Sequence, residues 1–274
     1  MSLRIAFAGD RDIAVWVLDF LFSQDIRPLA LLVPSEARGS HVVDLRQRCS
    51  FLSTQAVLVG TQFREAEGIR RLRSLELDYI IGVHFPYIVP QSVLDVSGIG
   101  FLNLHPAYLP SNRGWHTASW AILDETIAGA TLHFMDAGLD TGDIVHQKKI
   151  PIALDDTADS LYKKLKQLEL ETFKEAWPRL VSRQVPRVSQ HSLAGTFHRS
   201  RDLVQPAVQR IDLDERTTGR VLLNKLRALT TNNVGEAAYF EVGGQRFAVQ
   251  LRISAIHPEP ATPADGSRSN KHLN

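Results

Sequence analysis

The chain has 274 residues, 44% of them apolar, which is enough to bury one sizeable α/β domain and a smaller unit. Its 31 Lys and Arg residues face 30 Asp and Glu, a formal net charge of +1, so it lacks the basic excess with which proteins grip nucleic acid or an anionic membrane. The single cysteine, Cys49, excludes an internal disulfide framework and a thiolate metal cluster, and reads as a buried or idle thiol.

In chain order, Leu3 to Ala8 is an apolar run closed by Gly9-Asp10, and Ile13 to Leu21 follows with helical spacing of apolar residues. Pro28 to Val33 repeats the pattern of a buried strand, Ala56 to Val59 is a weaker strand, and Asp78 to Val83 is a strong one, with helical segments between them. This alternation predicts a Rossmann-like, doubly wound, mostly parallel sheet of the α/β class, with ligands at the C-terminal ends of its strands. Gly100 to His105 reads as a strand halted by Pro106, and Thr131 to Met135 and Ile144 to Ile150 as strands joined by a glycine-rich turn. Thr157 to Leu180 has the apolar period of a long helix.

Past Pro186 the pattern shortens. A polar stretch runs to Arg201, a helix is expected over Arg220 to Leu229, and strands over Tyr239 to Val242 and Arg246 to Ile253 flank the hairpin signal Gly243-Gly244. The expected organisation is a catalytic domain over 1–185, a small helix and β-hairpin unit over 186–256, and a disordered tail over 257–274. No run approaches the roughly 18 apolar residues of a membrane span. The first residues lack the long apolar stretch of a secretion signal, so the expected compartment is the cytosol.

The turn Gly9-Asp10-Arg11 lacks the Gly-x-Gly-x-x-Gly spacing of a dinucleotide cradle. Gly9 is accounted for by a tight turn, while Arg11 at a strand end is a candidate for a substrate phosphate. His84, His133 and His146 have no metal-ligand spacing, and no metal is expected. Asn103 and His105 stand two apart on one strand and so share a face. By itself an Asn-x-His pair is common and better explained by a structural, satisfied His.

The segment Asn103-Leu-His-Pro-Ala-Tyr-Leu-Pro-Ser-Asn-Arg-Gly114, followed by Gly129-Ala-Thr-Leu-His-Phe-Met-Asp-Ala-Gly-Leu-Asp-Thr-Gly-Asp-Ile144, resembles the folate-dependent formyltransferase family. The resemblance implies a catalytic set of Asn103, His105 and Asp140, the last being the Asp of the Leu-Asp-x-Gly turn. It also implies 10-formyltetrahydrofolate as co-substrate, held by the loop His84-Phe-Pro-Tyr-Ile-Val-Pro90. Phe85, Tyr87, Ile88 and Val89 belong to that loop, and Asp136, Gly138 and Asp143 of the glycine-rich turn join them. Within the family, Trp115-His-Thr-Ala-Ser-Trp120, Gly195 to Asp202 and Lys225 to Asn233 look most like the nucleotide-sugar N-formyltransferases, which act on the amine of a nucleotide-linked dideoxysugar.

The residue types suit that chemistry. Attack of an amine on a formyl carbon creates an oxyanion, for which the Asn103 amide is a neutral donor. An imidazole takes the amine proton, so His105 is the expected base, and Asp140 is expected to orient it and raise its pKa. Arg11, Asn112 and Arg113 are the candidate groups for the nucleotide diphosphate. Trp115 and Trp120 fit either the core or a stacking platform, and Trp115 is carried forward as a substrate contact. The expected partners are a nucleotide sugar, folate and a second copy of the chain, with no nucleic acid and no membrane. The rival readings are methionyl-tRNA formylation, hydrolysis of formyltetrahydrofolate, and a binding module without turnover.

Overall fold

The computed structural model describes residues 3–190 and 194–256; the tail expected to be disordered lies outside them. Alternation along the first strand sets the architecture. In β1 (Ile5–Gly9), Ile5 and Phe7 face one apolar layer while Ala6 and Ala8 face another, so both sides of the strand need cover. After β1 come α1 (Arg11–Ser23), β2 (Ala30–Val33), α2 (Val42–Arg48), β3 (Val57–Val59), α3 (Ala66–Ser74), β4 (Tyr79–Val83), α4 (Gln91–Leu94) and β5 (Gly100–His105). Then follow β6 (Arg113–Gly114), α5 (Thr117–Leu123), β7 (Ala128–Phe134), β8 (Ile144–Ile150) and α6 (Ala158–Val181). The chain continues with β9 (Phe197–His198), α7 (Pro206–Gln209), α8 (Gly219–Ala228), β10 (Ala238–Val242) and β11 (Gln245–Val249).

The central sheet has seven strands in the order β3-β2-β1-β4-β5-β7-β8. The five strands from β3 to β5 are parallel, whereas β7 and β8 run antiparallel to their neighbours, so the sheet is mixed at that edge. The turn between β7 and β8 is too short for a parallel crossover, which forces the reversal there. Residues of α1, α2 and α6 pack in one layer with Ile81, Leu102 and Leu132, and Phe63, Leu72 and Val93 pack on the other side with Ile80 and Phe101. Each fully buried Leu, Ile or Phe in these layers stabilises by roughly 1.5–3 kcal/mol before conformational entropy is set against it.

Helix α6 starts where expected. Thr157 accepts from the Ser160 N–H while the Ser160 hydroxyl accepts from the Thr157 N–H, a reciprocal cap. Leu161, Leu165, Leu168, Phe173, Trp177 and Leu180 make its buried stripe.

The residues after 186 do not form a detached body. Val188 bridges Ile144, β9 pairs with β6, and Ala228 of α8 is buried with Ala118, Ala121, Leu161 and Leu165. The hairpin β10–β11 turns on Gly243 and Gly244, both at positive φ, as its two-residue loop requires. The second hairpin strand ends at Val249 rather than reaching Ile253. Val249 already faces Ala238, the first residue of β10, and beyond it Gln250 and Leu251 bond instead to Thr231 and Thr230 after α8. Among the described residues no helix is long and apolar enough to cross a membrane.

Candidate active site

Strand alternation puts Asn103 and His105 of β5 on the face shared with Phe101, and antiparallel pairing brings Thr131 and His133 of β7 opposite them. Asp140 arrives from the β7–β8 turn with a left-handed backbone, φ 53°. Gly142, two residues on, comes so close to the Phe134 carbonyl that a Cβ there would lie 2.0 Å from its oxygen. A glycine at that point lets the turn fold back over the sheet. Arg11, His84 and Asn112, at φ 68°, 52° and 58°, are also left-handed non-glycine residues in the segments that leave strand ends. Backbone held in this sparse region clusters at functional sites.

The three expected catalytic side chains meet. Asn103 Nδ2 donates to Asp140 Oδ1 at 3.4 Å, and His105 Nε2 lies 3.7 Å from Asp140 Oδ2. The backbone N–H of Gly114 donates to Asp140 Oδ2 at 2.9 Å, and the carbonyl of Asn112 accepts from His105 Nε2 at 3.2 Å. With its Nε2 hydrogen used in this way, the neutral His105 ring keeps its lone pair on Nδ1. Gly114 sits at φ 93°, and a Cβ would strike the His198 carbonyl at 2.2 Å, so this glycine is what lets the N–H reach Asp140 beneath β9.

Burial dominates the protonation of His105. The ring is 6% exposed, and loss of solvent pulls its pKa below the usual histidine value even though Asp140 pulls the other way. The expected rise from Asp140 is therefore present but outweighed. Burial of Asp140 opposes its ionisation, yet His105, His133 at 3.6 Å from Oδ1 and the Gly114 N–H hold the carboxyl well below the ordinary carboxylate range. The result is a carboxylate beside a neutral ring.

His133 escaped the sequence reading and belongs to the cluster. It is fully buried, donates from Nδ1 to the Phe134 carbonyl at 2.7 Å, and with that tautomer accepts from Asn103 Nδ2 at 3.3 Å. Both hydrogens of the Asn103 amide thus have partners, one on His133 and one on Asp140. Gln190, also unforeseen, is buried against the Asp140 turn, where it donates to the carbonyls of Gly142 and Asp140. His84 pairs through Nε2 with the buried Glu169 of α6 at 2.8 Å. Neither Gln190 nor Glu169 carries a local sequence signal.

The loop after β4 packs as an apolar cluster. Phe85 and Tyr87 lie 5.1 and 5.8 Å from the Phe63 ring and 5.2 Å from each other, Val89 is buried, and Ile88 is exposed. Met135, at the head of the Asp140 turn, packs in the same cluster. Asp136 spends its Oδ1 on the Gly138 N–H and the Thr141 hydroxyl, and the Asp143 carbonyl accepts from the Phe134 N–H. These three residues shape the turn.

The four residues expected at a substrate divide. The Asn112 amide is buried and bonded to Thr126 and Thr196, and Arg113 donates to Gln190 Oε1. The Asn112 amide is thus committed inside the protein, while Arg113 uses one terminal nitrogen on Gln190 and keeps a buried Nε without a partner among the described residues. Arg11 is exposed at the start of α1, two strands from β5, with Nη1 3.5 Å from the Tyr162 hydroxyl. Trp115 is 45% exposed next to Gly114, whereas Trp120 stacks on His198 at 3.9 Å. Among the described residues no group of three or more His, Cys, Asp or Glu side chains is placed to hold a metal.

Comparison with known proteins bears on the family of the chain. The family model described as formyl transferase matches residues 32–177, and the one described as N-formyltransferase dimerization C-terminal domain matches residues 206–255. The methionyl-tRNA formyltransferase of Geobacter sulfurreducens is 34% identical over 194 residues, 69% of this chain and 61% of that protein. The dTDP-4-amino-4,6-dideoxyglucose formyltransferase of Mycobacterium tuberculosis is 30% identical over 188 residues, 69% of this chain and 76% of that protein. The chain spans 58–61% of the length of the first three methionyl-tRNA formyltransferases it matches. A 4-N formyltransferase from Francisella tularensis shares the fold with a TM-score of 0.78 at 20% identity, covering 93% of this chain and 100% of that one. On the family match and the 34% relative together, the chain belongs to the formyl transferase family.

Proposed function

We propose that the chain transfers the formyl group of 10-formyltetrahydrofolate to the amine of a nucleotide-linked amino-dideoxysugar, dTDP-4-amino-4,6-dideoxyglucose or an isomer. The observation that carries the transfer is the convergence of Asn103, His105 and Asp140 at one buried strand end. The neutral amine nitrogen attacks the formyl carbon, and the carbonyl electron pair moves onto oxygen. Asn103 stabilises that oxygen with the hydrogen it otherwise shares with Asp140. The His105 ring takes the amine proton, which its lowered pKa leaves it free to do at neutral pH. The bond from formyl carbon to folate nitrogen then breaks, its electron pair stays on that nitrogen, and the imidazolium returns the proton there. Asp140, ionised throughout, stabilises the transient imidazolium and keeps the ring in place.

The apolar cluster of Phe85, Tyr87 and Val89 offers a surface for the flat body of a pterin, with the backbone of Tyr87 to Val89 as donors and acceptors for its edge. For the acceptor, Arg11 offers a cation to a phosphate and Trp115 an exposed ring for stacking. The sugar reading draws on the Mycobacterium tuberculosis relative, of which 76% is covered, and on the net charge of +1, which is poorly suited to tRNA. Homodimerisation through the C-terminal unit follows from the description of the family model over 206–255.

The test is a panel of acceptors with 10-formyltetrahydrofolate, read by mass spectrometry. The dTDP-linked 4-amino sugar should gain a formyl group, and charged initiator tRNA and glycinamide ribonucleotide should not. Formylation of tRNA alone would overturn the sugar reading and leave formyl transfer standing. Folate deformylated with no acceptor present would point to hydrolysis, and no turnover at all to a binding module.

A further inference from the structure

Gln190, after α6, lies against the catalytic turn, and its side chain is spent on that turn and its neighbour. Gln190 is 2% exposed. Its Nε2 donates to the Gly142 carbonyl at 2.6 Å and to the Asp140 carbonyl at 3.2 Å, while its Oε1 accepts from Arg113 Nη2 at 2.9 Å. The amide therefore ties the turn that carries Asp140 to β6, the strand whose Gly114 N–H reaches the Asp140 carboxylate.

Two features of Asp140 need such a tie. Its left-handed backbone is costly for a residue with a side chain and persists where surrounding groups hold it. Its carboxylate contacts Asn103 at 3.4 Å and lies 3.7 Å from His105, long separations that a small drift of the turn would break. A residue just before β9 holds the second contact on His105. Thr196 Oγ1 accepts from the Asn112 N–H at 2.7 Å and donates to Asn112 Oδ1 at 3.2 Å, which fixes the residue whose carbonyl faces the His105 ring. Phe197 and His198 pair with Arg113 and Gly114.

We infer that Gln190 is a positioning residue for formyl transfer, clamping the Asp140 turn to β6 so that the carboxylate stays aligned with Asn103 and His105. Through it, and through Thr196 and β9, the C-terminal unit is mechanically joined to the catalytic groups. The inference rests on the formyl-transfer reading for its kinetic consequence, but the clamp itself can be read without substrate.

The experiment compares the full-length wild type with Gln190→Glu and Gln190→Met. The first keeps an oxygen for Arg113 and removes the hydrogens given to the Gly142 and Asp140 carbonyls; the second removes both sets of bonds at similar length. With 10-formyltetrahydrofolate and the amino sugar, kcat should fall about tenfold or more in both, with KM for either substrate within about twofold, since misplacing a catalytic group by about an ångström costs up to a hundredfold. The His105 ring is then titrated by NMR. Asp140, His133, Glu169 and the Asn112 carbonyl face that ring. Asp140 supports its charged form, so displacing the turn should move the midpoint to lower pH. If both variants keep wild-type kcat within twofold, or lose activity with an unmoved His105 midpoint, the clamp is refuted. If Gln190→Met does not fold, Gln190→Glu carries the test alone. Wild-type turnover tests the formyl-transfer reading separately, because the ring titration needs no substrate.

Discussion

Asn103 and His133 stand directly opposite one another across the antiparallel β5–β7 pair, with Asn103 Nδ2 3.3 Å from His133 Nε2. Because His133 gives its Nδ1 hydrogen to the Phe134 carbonyl, Nε2 is an acceptor, and it turns the Asn103 amide so that the other hydrogen points at Asp140. The amide proposed to meet the oxyanion is thus aimed by a fully buried residue on the neighbouring strand.

Replacing His133 by Phe keeps a flat buried ring and removes the acceptor. Leaving an Asn103 N–H without its partner should lower stability by about 1–3 kcal/mol. It should also reduce kcat by roughly tenfold or more, with little change in KM, since the amide acts on charge that develops only after attack. Steady-state kinetics and a urea melt would check both parts.

His105→Asn should leave less than about a hundredth of wild-type turnover while the melting temperature barely moves, because a general base commonly contributes a hundredfold or more. Activity above about a tenth would remove His105 from the mechanism.

Asn103→Ala and Asp140→Ala should each lower kcat far more than they raise KM. A change confined to KM would make either residue a ground-state contact. Asp140→Ala also strips the carboxylate from beside a buried imidazole, so it is expected to be the more severe of the two.

The His105 ring should titrate below the ordinary histidine value of about 6.5, because burial withdraws solvent from the cation. Asp140 pulls the pKa upward, so in Asp140→Asn the midpoint should fall further. The base form would then persist to lower pH, even though turnover is lost for want of the carboxylate. Ring chemical shifts against pH, assigned through His105→Asn, would show a midpoint above 6.5 if this balance is wrong.

The strands from β1 to β5 and helix α6 were legible in the sequence because their patterns are local: alternation in Ile5 to Ala8, and the Leu161–Leu165–Leu168 spacing after Thr157. Asn103, His105 and Asp140 were named through the resemblance of their motifs, and strand geometry added only that the first two share a face. Three things needed the tertiary structure. The sense of β7 depends on which strand it pairs with and the end of β11 on how far its partner extends, neither of which a single segment encodes. His133 becomes part of the site through cross-strand register, and Gln190 through a chain crossing that brings it from 50 residues away to the Asp140 carbonyl. The commitment of the Asn112 amide to Thr126 and Thr196 is likewise invisible before folding, because an exposed donor and a buried, satisfied one are written with the same residue. Local periodicity determined which elements form and which side chains share a face. Long-range packing decided what each of those side chains meets, and so whether its polar groups remain free for a ligand.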